Sequence, residues 1–450
     1  MNFRDIRERL LRLKEKQFVQ DTATLQVGTV VGNFTQAIVG IFLARILQPE
    51  LFGIYSLALS LAGFAALFIG IGAHEAITTV LSEAYEKKDK TEVNYALAFL
   101  IKLISVSGFI AIGGALIAPF ISKLLYQNSS IGSFASISII GLFISATLLA
   151  MTRIVLQVIN KIKLMTGLIV LDQLVRSGLS LFLAVVGFGV LGAVTGHLLG
   201  AVVIFFVAML VWQRVQSNFP LIPSLKFLLK LWPKVSIRRY LNFSIWITVD
   251  RNIANVFVIL PVILTGIFVS AQEVTFFKLA FGYINLALSL LAPISILLNV
   301  EFPKQKVRDF NALAANFIRI SMYSLITSTI LTVGAVLISP VAFVVLYGEN
   351  FSPSVQYVYG LIIYGAMMGI GVGLGPMWRA INKVRVSIII NLVTLIIGIP
   401  VGLFLIRSYG SWGTVAMVTA WFTASQVVSF IYLARFLKSK KPILLDRPRQ

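Results

Sequence analysis

Ile159-Asn160-Lys161-Ile162-Lys163 recurs, 222 residues later, as Ile381-Asn382-Lys383-Val384-Arg385. The same shift carries Tyr55, Leu57 and Ala58 onto Phe277, Leu279 and Ala280, and Asn94 onto Asn316. A shift of 221 carries Pro119 and Leu125-Tyr126 onto Pro340 and Leu346-Tyr347. Two copies of one unit therefore account for nearly all of the 450 residues, which divide into 1–222 and 223–450. The lead-ins correspond as well. Residues 3–19, with Ile6, Leu10 and Leu13 set against Arg4, Arg7 and Arg12, parallel the Lys226, Lys230 and Trp232 segment, and both read as amphipathic helices on an anionic inner leaflet or, equally, as solvated basic loops.

Each copy is built for a membrane. The chain is 58% hydrophobic, 12% charged and without cysteine, with a mean hydropathy of +0.92; soluble domains carry about twice that share of charge. A spanning helix needs about 20 apolar residues. Such runs lie near 24–46, 54–76, 95–118, 134–153, 164–186 and 190–212, then 244–269, 276–298, 314–339, 355–377, 386–406 and 411–434. An even number of crossings per copy inserts both copies with the same orientation, so the expected fold is an all-α polytopic membrane protein. Its twelve helices form two parallel six-helix repeats around a central cleft.

Charge orients them. Of 38 Lys and Arg, 30 fall in the termini and alternate loops, while the opposite loops hold only Lys123 and Arg407. Basic loops stay cytoplasmic, which places both termini and the 213–243 connection inside. The net charge of +21 thus reports topology and implies no nucleic-acid partner. Without cysteine, and with two histidines, the chain offers no disulfide, thiol nucleophile or zinc site, and no cofactor is implied.

Polar stripes interrupt the spans. Gln26, Thr29, Asn33 and Gln36 lie on one face of the first span, and Thr248, Arg251, Asn255 and Val258 follow at the same shift in the seventh. Hydroxyl residues alone read as helix-packing glue. The amides and the guanidinium read as a cavity wall, since facing lipid is costly for them. Lys278, Gly282, Asn285 and Ser289 share a face of the eighth span; the ninth holds Arg319, Tyr323 and Thr327, the third Lys102, the fifth Asp172, Arg176 and Ser180. The bases within spans are Arg45, Lys102, Arg176, Arg251, Lys278 and Arg319, against Asp172 and Asp250. Arg45 and Lys278 lie near the outer ends, where snorkelling is an equal alternative. Asp172 and Arg176 are spaced to pair, whereas Asp250 and Arg251 point about 100° apart. These charges are not duplicated: Arg176 aligns with Gly398, Arg319 with Leu97 and Lys278 with Ser56.

At this point the chain resembles the polysaccharide transporters, or Wzx-type oligosaccharide flippases, of the multidrug/oligosaccharidyl-lipid/polysaccharide exporter superfamily. The resemblance rests on LARILQPELFGIYSLALSL at 43–61, SAQEVTFFKLA at 270–280, LYGENF at 346–351 and the two INK loops. Gln48 stands where that family often has Gly, and Thr275 departs likewise. The resemblance implies a MATE-like fold and passage of a polyprenyl-pyrophosphate-linked oligosaccharide across the cytoplasmic membrane. It also implies membrane lipids and a polysaccharide polymerase or other assembly proteins as partners. The residues name the candidates for holding such a cargo: Arg176 and Arg251, with Lys102, Arg319, Lys278 and Arg45 as further cations.

Three other functions compete with this one. A membrane glycosyltransferase, polymerase or acyltransferase needs a catalytic loop, yet the longest outward connection, near 119–133, is about fifteen residues. A cation-coupled drug antiporter of the same fold needs buried acids in excess of bases. A major-facilitator transporter carries a basic signature after the second span that SEAYEKKDKTE lacks. Asp172 and Asp250, with Glu75, His74 and His197, are candidates for ion coupling. Pro261, Pro293, Pro376 and Pro400 read as kinks or as breaks exposing carbonyls. Reporter fusions at residues 220 and 450 are expected to be active only as cytoplasmic reporters; activity of a periplasmic reporter at either site would reverse the topology.

Overall fold

The computed structural model describes residues 17–69, 73–236 and 238–439, with side chains from 24 onward except those of 73–76, 238–247 and 300. The first amphipathic lead-in, and the side chains of His74 and Glu75, lie outside the described residues. Among these residues the chain is all-helical, without strands. Nine helices are long and apolar enough to cross a membrane, and Glu349–Gly360 with Ile362–Ala380 makes a tenth crossing bent by 55°. Two of the nine, Thr24–Ile69 and Ile162–Asn218, have 46 and 57 residues. At about 1.5 Å per residue each is long enough for two crossings. Each is broken once: the first at Gln48, the second at Gly187 and Gly189, which have positive φ. Twelve segments result, in the expected order.

Hydropathy set several ends too narrowly. The third span runs Lys90–Tyr126 and the fourth starts at Ser129, so the expected fifteen-residue outer connection is almost wholly helical. The second span is described as far as Ile69, and an unexpected helix is described over Ala73–Glu86. It buries Ile77, Leu81 and Ala84 in the core with the third and fourth spans.

Duplication is visible in the backbone. Asn160 and Asn382 have φ of 56° and 57°. Around them the N–H of Lys161 bonds the carbonyl of Leu156 and that of Asn160 the carbonyl of Gln157, while Lys383 bonds Trp378 and Asn382 bonds Arg379. These are Schellman caps, with Asn in the left-handed position usually given to Gly. The outer turns match at the 221 shift: Gln127 with Gly348, and Gly189 with Gly410, all have positive φ.

By compactness the chain divides into two units, Met1–Leu47 with Leu61–Thr248, and Gln48–Ser60 with Val249–Gln450. The compact boundary falls past residue 222 because the second lead-in packs within the first unit. Leu228 and Val235 join the core of that unit, and Lys102 donates to the carbonyls of Val235 (2.8 Å) and Pro233 (3.4 Å). Lys102, expected as part of a cationic wall, is thus occupied in fastening this segment to the third span.

In the second unit, repeat-related residues meet crosswise. The Thr275 hydroxyl donates to the Pro49 carbonyl at 2.6 Å, and a Cβ on Gly53 would lie 1.8 Å from the Ala271 carbonyl oxygen. At the 222 shift Pro49 is equivalent to Ala271 and Gly53 to Thr275, so the contact is isologous, as about a local two-fold axis. Thr275 departs from Gly because its hydroxyl takes up a carbonyl at the broken helix. Gln48, at φ 62° and ψ 168°, occupies a region nearly reserved for Gly, at a cost of about 1–3 kcal/mol. Its side chain accepts a 2.8 Å hydrogen bond from the Asn350 amide. Gln48→Gly should therefore stabilise the protein by about 1 kcal/mol, whereas Gly53→Ala should destabilise it. Thermal melts in detergent check both, and a lower Tm for Gln48→Gly would mean the side chain outweighs the strain.

Candidate functional site

In the first unit the Asp172 carboxylate accepts two hydrogen bonds from Arg176, from Nε at 2.7 Å and from an Nη at 2.6 Å. Their side chains, at 9% and 21% exposure, are sheltered. One helical turn separates them, so the fifth span presents the pair without help from a second helix. The sixth span then fits against it through Gly192, Gly196 and Gly200. A Cβ on Gly200 would lie 2.6 Å from the Arg176 Cα, and one on Gly196 2.4 Å from the Ser180 Cα. Small residues at every fourth position let the two backbones touch.

Two further groups interact electrostatically with this pair. Arg153 reaches both Asp172 and Arg176, and His197 reaches Arg176. Arg153 is the last residue of the expected fourth span and is absent from the bases expected within spans, but the helix Ser129–Val158 continues past it to the Asn160 cap. That cap was the signal: a helix ending on an Asn in the left-handed position keeps its last turns. A π-type bulge at Ser145–Leu149 precedes Arg153 on the fourth span; such bulges gather at functional sites. Arg176 alone is bonded to the aspartate, and Arg153, exposed on its helix, lies within electrostatic range of the pair.

The second unit repeats the arithmetic with different residues. Asp250 is half-buried on the seventh span and interacts with Arg379 of the tenth. Arg379, assigned to a loop, lies inside the helix Ile362–Ala380 and donates to the Asn299 side-chain oxygen at 3.1 Å. Arg251 follows Asp250 and is exposed, as is Asn255 one turn on, while Thr248 is buried.

The remaining expected residues are spread out. Thr29, Asn33 and Gln36 are exposed and Gln26 is half-buried. Beside them Gly28 and Gly32 pack on Thr166 and Gln173 of the fifth span, so the polar stripe flanks the packed face. Asn285 is taken up inside the second unit, accepting from the Tyr364 hydroxyl at 2.7 Å and donating to the Phe281 carbonyl at 2.8 Å. Lys278 is half-buried, and Arg319 and Arg45 are exposed at separate places. No cluster of His, Asp or Glu among the described residues is arranged to hold a metal.

The family model described as "Polysaccharide biosynthesis protein" matches residues 18–303. No curated protein sequence matches the chain. Its fold is shared with solved transporters. An inward-facing multidrug resistance MATE family transporter of the MOP superfamily superposes with a TM-score of 0.70 at 15% identity, over 93% of this chain and 98% of the other. The lipid II flippase MurJ, in an inward closed conformation, superposes at 0.65 and 15% identity, over 92% and 87%. A MOP superfamily transporter from Pyrococcus furiosus, described by the reverse polarity of its binding pocket, superposes at 0.55 and 17%, over 94% and 97%.

Breaking the paired charge tests its role in the fold. Asp172→Asn should cost about 3 kcal/mol, read as loss of folded protein. The double change Asp172→Asn with Arg176→Gln should recover much of it. Equal yields for all variants would show that the pair contributes nothing to folding.

Proposed function

Because the chain belongs to the polysaccharide biosynthesis protein family, we propose that it moves a lipid-linked oligosaccharide, carried on a polyprenyl pyrophosphate, across the cytoplasmic membrane by alternating access. The chain is a multi-pass membrane transporter of that family, and the proposal concerns its cargo and mechanism. The observation that carries it is the repeated excess of arginine over aspartate: Arg153 and Arg176 against Asp172 in one unit, Arg251 and Arg379 against Asp250 in the other. A base within a span costs at least ~2.5–3.5 kcal/mol unless water, an acid or a ligand compensates. An anion in transit removes that cost while it is bound, and a pyrophosphate brings at least two negative charges.

Guanidinium suits the task, because its fork binds phosphate oxygens two at a time where lysine acts as a point charge. Asp172 and Asp250 offset part of the charge, which keeps affinity moderate, and a cargo that has to leave requires moderate affinity at several sites. The exposed amides Asn33, Gln36 and Asn255 supply hydrogen bonds for sugar hydroxyls along the path. In this reading both termini face the cytoplasm, the two copies are 1–222 and 223–450, and a polymerase or other assembly protein takes up the product. Catalysis is not part of the proposal, and a cation-coupled drug extruder fits less well because its acids should outnumber its bases.

Transfer of a fluorescent lipid-pyrophosphate oligosaccharide between leaflets of proteoliposomes tests the reading. At matched protein levels Arg176→Gln, Arg251→Gln, Arg153→Gln and Arg379→Gln should each slow transfer several-fold, and Arg251→Lys should slow it although charge is kept. Unchanged transfer by both Arg176→Gln and Arg251→Gln would overturn the cationic mechanism.

A further inference from the structure

The cytoplasmic ends of the fifth and sixth spans enclose a cavity of about 350 Å³, away from the Asp172–Arg176 pair. Its polar lining is Lys161, Arg214 and Asn218; its apolar lining includes Leu164, Val211 and Phe219. The Lys161 ammonium sits 6.0 Å from the centre of the Phe219 ring, which steadies the charge yet leaves its N–H bonds available. The root of Lys161 is equally fixed: its N–H bonds the Leu156 carbonyl at 2.8 Å and its carbonyl accepts from Met165 at 3.0 Å. Neither Lys161 nor Arg214 has a carboxylate within ion-pair distance among the described residues.

Two cations and an amide, with no carboxylate partner among the described residues, therefore line a space whose walls are otherwise apolar. A free inorganic anion would gain nothing from Leu164, Val211 and Phe219, and an acyl chain alone would gain nothing from the cations. A molecule with an anionic phosphodiester joined to acyl chains uses both. The basic loops place this end of the spans at the inner leaflet, where such molecules lie. The structure assigns this cavity to one anionic phospholipid of the inner leaflet, held as a resident lipid by its phosphate.

The second copy supplies an internal control. At the 222 shift Lys383 again lies over a ring, 5.7 Å from the centre of Phe436, but Phe436 stands at the position of Arg214. An ammonium-on-ring contact recurs, but its ring takes the place of Arg214 and not that of Phe219, so the Lys161–Arg214 pair of cations is not repeated. One lipid is expected per chain, in the first copy alone.

Native mass spectrometry of the full chain, delipidated in detergent and titrated with phosphatidylglycerol or phosphatidylcholine, reads the site directly. One phosphatidylglycerol should be retained in preference to phosphatidylcholine. Lys161→Ala with Arg214→Ala should weaken retention about 20- to 30-fold, at about fivefold per base, and Lys383→Ala should leave it unchanged. If the double variant does not fold, Arg214→Gln alone, on an exposed side chain, should still weaken retention about fivefold. Equal retention of the two lipids, or equal weakening by Lys383→Ala, would overturn the assignment. So would displacement by millimolar inorganic phosphate, which would mark a plain anion site, or by equimolar polyprenyl pyrophosphate, which would mark a cargo site.

Discussion

Hydrocarbon solvates neither a guanidinium nor a bare backbone amide, and the structure follows from that. Arg176 is tolerable in mid-span because Asp172 is one turn away and takes two of its hydrogen bonds. The sixth span closes over the pair only because Gly196 and Gly200 have no side chain to collide with it. Arg153, exposed on the fourth span, lies within electrostatic range of the pair.

The same demand governs the turns. Twelve crossings need connections that satisfy helix ends within two or three residues, and the repeated solution is a residue with positive φ: Asn160 and Asn382 on one side, Gln127 and Gly348, Gly189 and Gly410 on the other. Duplication preserved these turns and the crosswise contact of Pro49 and Gly53 with Thr275 and Ala271. It did not preserve charge. Arg176 aligns with Gly398, and Arg214 with Phe436. Backbone geometry is what the two sets of turns share, and the side chains between them are free to diverge.

That division explains what could be read from the amino acids. Hydropathy runs, basic loops and the INK repeat identified twelve crossings in two copies, because each depends on a local property. The Asp172–Arg176 pair followed from helical spacing. Arg153 and Arg379 did not, since an apolar run measures where hydrocarbon stops, whereas a helix stops at its cap. Lys102 was misplaced for the opposite reason: its partners, the carbonyls of Pro233 and Val235, are more than a hundred residues away and no periodicity reveals them. Asn285 likewise has its hydrogen bond with Tyr364 only once the helices pack. Gln48 showed in sequence as a departure from glycine, and its meaning needed a backbone angle.

The central claim is that arginines of the spans receive the pyrophosphate of the cargo. It is tested most directly by photo-crosslinking a lipid pyrophosphate that carries a diazirine next to its phosphates, followed by peptide mapping. The account predicts adducts on the fourth and fifth spans around Arg153 and Arg176 and on the tenth around Arg379, suppressed when those arginines are changed to glutamine. Adducts confined to exposed apolar helix faces, such as Phe109 to Leu124 of the third span, and indifferent to those changes, would contradict it.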